Sequence, residues 1–572
     1  MVEFAAWRHL GFIGRLWCLE VATNKLAALT RFTLQLPVRR MFLALSSAAL
    51  LIFSFPNFNQ PWCAWIALVP WLLLLPNLKP RKAFWWSWFI GFLFFLGSIH
   101  WLTHVTVFGW ALLCAYLAFF FGIFGWLASL AQPMLDPRPK TQGLKSSLKS
   151  YVLSLIVAPS AWVALEHART HLLSGFGWNL LAYSQTPWPM IIQIARLTGA
   201  WGVSFMIVMA NAAIFQAIQR RSWRKLFAPA GVVVAALLYA AGTIPLKAPV
   251  LSRIAVVQGN IPQEHKWDEA YKEEILSRYE CLTRLAAESQ LDLIVWPETS
   301  APGYVGVDED LTQRIFRLAK QAGRPLLIGS PVPKLAAGGF VFLNRASLIN
   351  QEGEIVNTYD KLHLVPYGEF IPGDKWFPWL RKLLPPIGDF VPGKEYTVFS
   401  LKNSRLEALG SRQAENSLQP TAYSRELRFS VLICFEDVFP ELARAFVRRG
   451  AQALVVITND AWFGPTAAAH QHAQASLFRS VELGVPVIRA ANTGWSGCID
   501  PEWGAYRPVK DVKGQELFVT GTATCGVYPG SGNTFYVRWG DWFAWGCVLA
   551  ALIGILPGIM NNSYSRKNGR RA

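Results

Sequence analysis

The first half of the chain repeats one pattern, in which a long apolar stretch is followed by a short polar break. A helix needs about 20 residues to cross the roughly 30 Å of hydrocarbon in a bilayer. By that measure the pattern predicts seven membrane-spanning helices before residue 250 and an eighth near the carboxyl end. The predicted spans lie near residues 41–55, 60–76, 83–103, 106–131, 151–170, 188–217, 226–244 and 542–560.

Lys and Arg are concentrated in alternate loops between these spans. The loops near 56–60, 104–105 and 171–187 are poor in both residues. Because cytoplasmic loops carry the excess of Lys and Arg, the pattern predicts that both termini are cytoplasmic and that everything between spans seven and eight lies outside. The basic residues that carry this prediction are Arg39, Arg40, Lys79, Arg81, Lys82, Arg138, Lys140, Lys145, Lys149, Arg220, Arg221, Arg224, Lys225, Arg566, Lys567, Arg570 and Arg571.

The segment 250–540 has a different character, because its apolar runs are short and strand-like. Strands are predicted at 253–258, 291–296, 325–329, 429–434, 453–458 and 485–490, and helices at 267–289 and 308–322. Strands that alternate with helices indicate an α/β domain. The predicted organisation is a basic leader (1–40), seven membrane helices (41–249), an α/β domain (250–540) and a last helix with a basic tail (541–572), with a polar surface loop at 404–425.

Composition supports the membrane prediction. The chain is 53% hydrophobic and only 16% charged, where a soluble protein carries about 25% charged residues. The net charge of +18 would suit a nucleic-acid partner. The basic residues fall in short runs between apolar segments, however, so membrane topology accounts for them and no nucleic acid is expected.

The cysteines and histidines predict no metal site. The eight cysteines show neither a CxxC pair nor a zinc spacing. His470 and His472 lack further ligands nearby in the sequence. Cys498 and Cys525 both lie in strand-like segments on the predicted outer, oxidising side, and a disulfide between them is a hypothesis.

Three residues are candidates for chemistry. Glu298 follows an apolar strand, where a partly desolvated carboxylate can act as a general base, although a lone acid there also fits a solvated loop. Lys361 can stabilise an oxyanion, although with Glu369 it also fits a surface ion pair. Cys434 ends another strand, where a nearby base would favour its nucleophilic thiolate, although a lone Cys also fits a buried core.

A Glu, a Lys and a Cys in this order and setting resemble the nitrilase superfamily. Longer stretches resemble its membrane-bound branch, the apolipoprotein N-acyltransferases, and the resemblance covers nearly the whole chain. These stretches are VQGNIPQEHKW (257–267), VWPETSAP (295–302), YDKLHLVPYGEFIP (359–372), ICFEDVFPE (433–441), TNDAWFG (458–464) and NTGWSGCID (492–500).

The resemblance implies an extracytoplasmic αββα sandwich on about eight membrane helices, placed on the periplasmic side of a bacterial inner membrane. It implies a ping-pong reaction in which Glu298 deprotonates Cys434, Cys434 takes an acyl chain from a phospholipid such as phosphatidylethanolamine, and Lys361 stabilises the oxyanion. The acceptor would be the amine of a diacylglyceryl apolipoprotein, with no metal or cofactor, in a monomeric protein. The resemblance also assigns supporting roles to Glu369, Glu436 and Asn344, and lipid or substrate contact to Trp267, Phe435 and Trp462. Phe435 departs from the Tyr expected after the nucleophile.

Two other classes of function stay open. One is a membrane-tethered carbon–nitrogen hydrolase, in which water instead of an amine would resolve the thioester. The other is a lipid or lipoprotein receptor or a transporter. Transporters place ionisable residues inside their spans, and the few found here, such as Glu166, Arg169 and Arg196, form no obvious relay.

Overall fold

The computed structural model describes residues 37–130, 144–243, 250–336, 339–371, 373, 379, 389–402, 426–528 and 530–554. Most of the predicted leader, the predicted surface loop 404–425 and the basic tail beyond residue 554 lie outside the described residues.

Long helices occupy most of the predicted spans. They lie at residues 37–53, Pro61–Leu74, Pro80–Ser98, Val107–Leu130, Leu144–His171, Ala200–Arg220, Phe227–Thr243 and Trp542–Gly554. Among the described residues, three helical segments are long and apolar enough to cross a membrane: Val107–Leu130, Ala200–Arg220 and Trp223–Thr243. Pro61–Leu74 and Trp542–Gly554 are shorter apolar helices. The chain therefore has an apolar helical region of the kind found in membrane proteins.

The predicted span 188–217 is wrong at its start. Two single-turn helices, Pro189–Ile192 and Ala195–Thr198, precede the long helix, which begins only at Ala200. The interruption falls at Gly199, whose φ of +68° lies in the positive range that favours glycine. A Cβ at Gly199 would also lie 2.7 Å from the ring of Tyr536, so the site requires glycine. Apolarity alone could not reveal this break.

The segment after residue 250 forms two six-stranded sheets, ordered β12-β1-β2-β3-β4-β5 and β11-β10-β9-β8-β7-β6. Strands β1, β2 and β3 run parallel to one another, and so do strands β7, β8 and β9. The strands are β1 Ser252–Gln258, β2 Leu293–Val295, β3 Leu326–Ala336, β4 Gly339–Ile349, β5 Ile355–Asp360, β6 Phe399–Lys402, β7 Glu426–Ile433, β8 Ala453–Thr458, β9 Val487–Ala491, β10 Gly497–Asp500, β11 Gly504–Tyr506 and β12 Gly521–Val527.

The two sheets pack face to face between layers of helices. Along β1, Ile254 and Val256 belong to the core shared with the second sheet, whereas Ala255 and Val257 belong to the core beneath the outer helices. These outer helices are Lys272–Ala287 and Glu309–Ala322, and Pro440–Arg448 and Ala468–Leu483 accompany the second sheet. The predicted αββα sandwich is therefore confirmed. The predicted helix 267–289 is wrong at its start, because a short 3-10 turn, Glu269–Tyr271, precedes Lys272.

One helix of the sandwich, Ala468–Leu483, is embedded in the amino-terminal helical region. The side-chain oxygen of Gln471 accepts hydrogen bonds from the indole N–H groups of Trp101 (3.0 Å) and Trp178 (2.9 Å). Its amide nitrogen donates to the backbone carbonyls of Pro56 (3.3 Å) and Ser98 (2.8 Å). One buried side chain thus joins the two halves of the molecule.

Candidate active site

Glu298, Lys361 and Cys434 lie in one site, in which Glu298 and Lys361 are buried and Cys434 is half-buried. Glu298 follows β2, Lys361 follows β5 and Cys434 follows β7. The Lys361 ammonium lies 3.5 Å from Glu298 Oε1, and both side chains are buried. The charges of Glu298 and Lys361 also both act on the Cys434 thiol. The structure therefore brings together the three residues that the sequence singled out.

The Glu298 carboxylate is held from two strands. Asn344 of β4 donates from Nδ2 to Oε1 at 2.8 Å, and the backbone N–H of Asn459, after β8, donates to Oε2 at 2.9 Å. Gly329 of β3 lets the backbone approach closely, because a Cβ there would lie 2.8 Å from Glu298 Cα. Both carboxylate oxygens therefore have fixed directions.

The Lys361 ammonium is paired inside the protein and not at the surface. Glu369 Oε1 lies 2.9 Å from it and also accepts a hydrogen bond from Asn344 Nδ2 at 3.0 Å. Burial alone would lower the pKa of Lys361, but the charges of Glu369 and Glu298 raise this pKa well above its usual value. Lys361 is therefore a permanent positive charge in the site.

Cys434 opens a tight turn directly after β7. Its φ is +54°, in the left-handed region that non-glycine residues rarely adopt, and such strained residues cluster at active sites. Burial raises the pKa of the thiol well above its ordinary value, the Glu298 charge raises it further, and Lys361 lowers it. The resting side chain is therefore a thiol that needs a base.

Glu436 joins the loop that carries Lys361 to the turn that carries Cys434. Its fully buried carboxylate accepts hydrogen bonds from the backbone N–H groups of Leu362 (2.6 Å), His363 (3.0 Å) and Ile433 (2.7 Å). The Tyr359 hydroxyl donates a further bond at 2.8 Å. Burial raises the pKa of Glu436 to about 7, although the backbone N–H groups act to lower it. Glu436 binds the backbone next to Lys361 and next to Cys434, and in this way it positions both candidate residues.

Lys266 was missed by the sequence analysis, although it lies within the stretch VQGNIPQEHKW. Its buried ammonium donates to Thr299 Oγ1 at 2.8 Å and to the Glu298 backbone carbonyl at 3.2 Å. Burial lowers the pKa of Lys266 to about 8, and the Glu298 and Cys434 charges oppose that shift. The only feature of the sequence that could have pointed to Lys266 was its position in the loop after β1.

A buried layer of charges lies behind the Cys434 turn. The ring of His472 lies between two carboxylates, with Nε2 at 2.9 Å from Asp437 and Nδ1 at 2.8 Å from Asp460. Arg489 contacts the same two carboxylates at 2.8 and 3.3 Å. Burial alone would lower the pKa of His472, but the neighbouring carboxylates raise it to about 9. His472 is thus engaged in ion pairs and does not offer a free nitrogen to a metal.

The three aromatic residues expected to meet lipid or substrate differ in exposure. Trp267 and Trp462 are each 55% exposed, whereas Phe435 is half-buried. The Phe435 ring lies 5.0 Å from that of Phe439 and 6.3 Å from that of Trp178, measured between centroids. Phe435 therefore packs against aromatic neighbours where a Tyr hydroxyl was expected from the resemblance.

Comparison with known proteins matches two family models to the two halves of the chain. The apolipoprotein N-acyltransferase N-terminal domain matches residues 47–213, and the carbon-nitrogen hydrolase family matches residues 253–517. The apolipoprotein N-acyltransferase of Geobacter metallireducens is 35% identical over 91% of this chain and 95% of its own length. That of Methylococcus capsulatus is 32% identical over 94% of this chain and 99% of its own. A solved amidase from Nesterenkonia sp. aligns with 53% of this chain and 98% of its own at 19% identity and a TM-score of 0.34.

Proposed function

This chain belongs to the apolipoprotein N-acyltransferase family, and on that premise we propose that it moves an acyl chain from a phospholipid to the amino-terminal amine of a diacylglyceryl apolipoprotein through a thioester on Cys434. The observation that carries this proposal is the convergence of Glu298, Lys361 and Cys434 in one buried site. Glu298 is the general base, Cys434 the nucleophile and Lys361 the stabiliser of the oxyanion.

In the first half-reaction Glu298 takes the thiol proton of Cys434. Because the negative charge moves from carboxylate to sulfur, the net charge of the buried site does not change, which avoids a large desolvation cost. The thiolate attacks the carbonyl carbon of the phospholipid sn-1 ester. Lys361 stabilises the tetrahedral oxyanion. Collapse of the tetrahedral intermediate breaks the ester C–O bond. Glu298 gives its proton to the departing oxygen, and the lysophospholipid leaves.

In the second half-reaction the free α-amine of the apolipoprotein attacks the thioester carbon. Lys361 again faces the oxyanion, and Glu298 accepts a proton from the attacking amine. The C–S bond then breaks, the Cys434 sulfur regains a proton, and the N-acylated lipoprotein is released. The thioester itself carries the activated acyl group, so the chain's own residues suffice for both steps.

We further propose that the chain spans a bacterial inner membrane eight times with its α/β sandwich on the periplasmic side. The alternation of basic loops supports this orientation. The disulfide between Cys498 of β10 and Cys525 of β12 supports it independently, because disulfides persist in oxidising compartments such as the periplasm. The proposed working form is a monomer, and the proposed donor is phosphatidylethanolamine.

The test is intact and peptide mass spectrometry of the full chain after incubation with phosphatidylethanolamine vesicles. We expect a fatty-acyl mass on the Cys434 peptide that disappears when a diacylglyceryl lipopeptide is added and reappears on that lipopeptide. Cys434→Ala should carry no adduct. Cys281→Ala is the matched control, since Cys281 is an exposed cysteine remote in sequence from the site, and it should acylate like the wild type.

Two outcomes would contradict the proposal. Loss of the adduct to water at the same rate with and without lipopeptide would identify a hydrolase. A folded wild-type protein that never forms the adduct would leave a receptor or transporter as the better explanation. Vesicles of other headgroups, tested in parallel, would show whether phosphatidylethanolamine is the preferred donor.

A further inference from the structure

We propose that His167, His171 and Asp541 form a binding site for a divalent transition-metal cation of the Zn²⁺ type, at the junction between the helical region and the sandwich. One ligand atom from each residue lies within 4.8 Å of the other two. Two imidazole nitrogens and a carboxylate oxygen are a donor set that Zn²⁺ takes in proteins. The site shares no residue with the one around Cys434.

The two histidines are preorganised by helix geometry. His167 and His171 are four residues apart in the last turns of helix Leu144–His171, so they share one face, and their ring centroids lie 4.4 Å apart. His171 Nδ1 lies 2.8 Å from the backbone carbonyl of His167. A histidine that donates from Nδ1 to a backbone carbonyl keeps its Nε2 lone pair free for a metal.

The carboxylate is held in place from outside the cluster. Asp541 Oδ1 accepts hydrogen bonds from the Trp201 indole N–H at 2.7 Å and from the Tyr536 hydroxyl at 2.8 Å. Metal-binding carboxylates are commonly oriented by such bonds. The arrangement fixes the Asp541 side chain through Oδ1, and Oδ2 is the oxygen proposed to bind the cation.

His167 supplies an independent sign of a ligand. It is only 7% exposed, and its Nδ1 is buried with no hydrogen-bond partner among the residues that the structure describes. Its ring contacts those of Trp201 and Trp545, at centroid distances of 5.3 and 5.2 Å. Buried polar nitrogens are nearly always satisfied, and a cation bound at His167 Nδ1 would satisfy this one.

A further acidic residue near the His167, His171 and Asp541 cluster favours the binding of a cation. Glu441, in the first turn of helix Pro440–Arg448, interacts electrostatically with both His171 and Asp541. The cluster and its surroundings therefore offer a cation two carboxylates and two imidazoles. Zn²⁺ prefers four ligands, so a water molecule or Glu441 would complete the coordination.

A cation here would link elements that are distant in sequence. Asp541 immediately precedes the last helix, Trp542–Gly554, whereas the histidines end helix Leu144–His171. Binding only to the folded state stabilises that state by mass action. The cation would therefore fasten the last helix to the end of helix Leu144–His171, without taking part in acyl transfer.

The test uses the full chain without an affinity tag, purified in detergent, stripped with a chelator and titrated with Co²⁺ and Zn²⁺. We expect one equivalent bound per chain, a tetrahedral Co²⁺ absorption spectrum, and a higher unfolding temperature with Zn²⁺. His171→Gln should weaken binding at least about 10-fold. Asp541→Asn should do the same while keeping an oxygen for Trp201 and Tyr536.

The matched control is His100→Gln, which removes another exposed histidine at the end of a helix of the amino-terminal region. This control should bind as the wild type does. Equal affinity in the wild type and in His171→Gln would identify adventitious binding elsewhere and overturn the proposal. Failure of the stripped wild-type protein to take up either cation would overturn it as well, without reference to any variant.

Discussion

The buried ammonium of Lys266 donates a hydrogen bond to the backbone carbonyl of Glu298, the proposed base, at 3.2 Å. A second bond, at 2.8 Å, reaches the Thr299 hydroxyl. Thr299 has a φ of +45°, so the chain turns sharply just after Glu298. One lysine therefore holds the turn that aims the carboxylate towards Cys434.

Replacing Lys266 with Met should slow thioester formation. The substitution leaves the buried Glu298 carbonyl and Thr299 hydroxyl without a donor, so the turn relaxes and the carboxylate moves. A displacement of about 1 Å can cost about 10²-fold in rate, and we expect a loss approaching that size. The measurement is the rate at which the acyl adduct appears on Cys434, with the unfolding temperature as a check on folding.

Lys272→Met is the matched control for Lys266→Met. Lys272 is partly exposed and pairs at 3.3 and 3.4 Å with Glu269 and Asp308, away from the turn after Glu298. Such exposed pairs contribute little, so the control should acylate at nearly the wild-type rate. If Lys266→Met acylates as fast as the control, Lys266 does not position Glu298.

Glu436→Gln should lower both stability and the rate of acylation. Each Glu436 oxygen accepts a bond from a backbone N–H, so an amide nitrogen in either place would face a donor. One buried N–H then loses its acceptor, at a cost of about 1–3 kcal/mol. Thermal unfolding and the rate of adduct formation measure the two effects. Glu395→Gln, at an exposed residue, should change neither, and a Glu436→Gln protein as stable as this control would refute the positioning role.

The sequence predicted the central strands, and the position of Glu298 and Cys434 after two of them, for a physical reason. Strand β8 is buried throughout and β7 is buried over its last five residues, and the sequence shows these stretches as the mainly apolar runs ALVVIT and FSVLI. Glu298 and Cys434 stand at or just after the ends of such runs, so their place in a parallel sheet was predictable. The role of each in catalysis stays a prediction that the acyl-adduct experiment tests.

Other features of the fold and of the site depend on contacts between residues far apart in sequence, which no local sequence pattern shows. Strand β4 is exposed at its start and buried at its end, so it lacks the apolar run that revealed β7. Lys is rarely buried, and only the fold shows that Lys266 is buried beside Glu298. The two carboxylates that contact His472 are 35 and 12 residues away in sequence, which is why its ion pairs were not foreseen.

Gln471→Leu should loosen the junction between the sandwich and the amino-terminal helices. The substitution keeps the size of the side chain but leaves two indole N–H groups and two carbonyls unpaired. Each buried polar group left in this way costs about 1–3 kcal/mol. We expect a marked fall in unfolding temperature and faster proteolysis between the two halves. Gln313→Leu, on an exposed position of helix Glu309–Ala322, should behave as the wild type, and equal behaviour of both variants would contradict the prediction.

The ion pairs of His472 predict how stability depends on pH. The folded-state pKa of His472 is raised from 6.5 to about 9, because Asp437 and Asp460 outweigh the effect of burial. A raised pKa means that the folded state binds the proton more tightly, so the stability it provides is fully present below pH 6.5 and is lost as the pH rises through about 9. A shift of this size corresponds to about 3 kcal/mol.

His472→Gln removes this titration, so the two proteins should differ most below pH 6.5 and converge as the pH approaches 9. The measurement is the free energy of unfolding in detergent at a series of pH values across that window. His100→Gln is the control and should stay parallel to the wild type, because His100 is exposed and the partner of its ring among the described residues is the Gly97 backbone carbonyl. As the imidazolium loses its proton, the unfolding free energy of the wild type must fall relative to that of His472→Gln. If the two curves instead stay parallel between pH 6.5 and 9, the ring is neutral in the folded protein and the prediction is wrong.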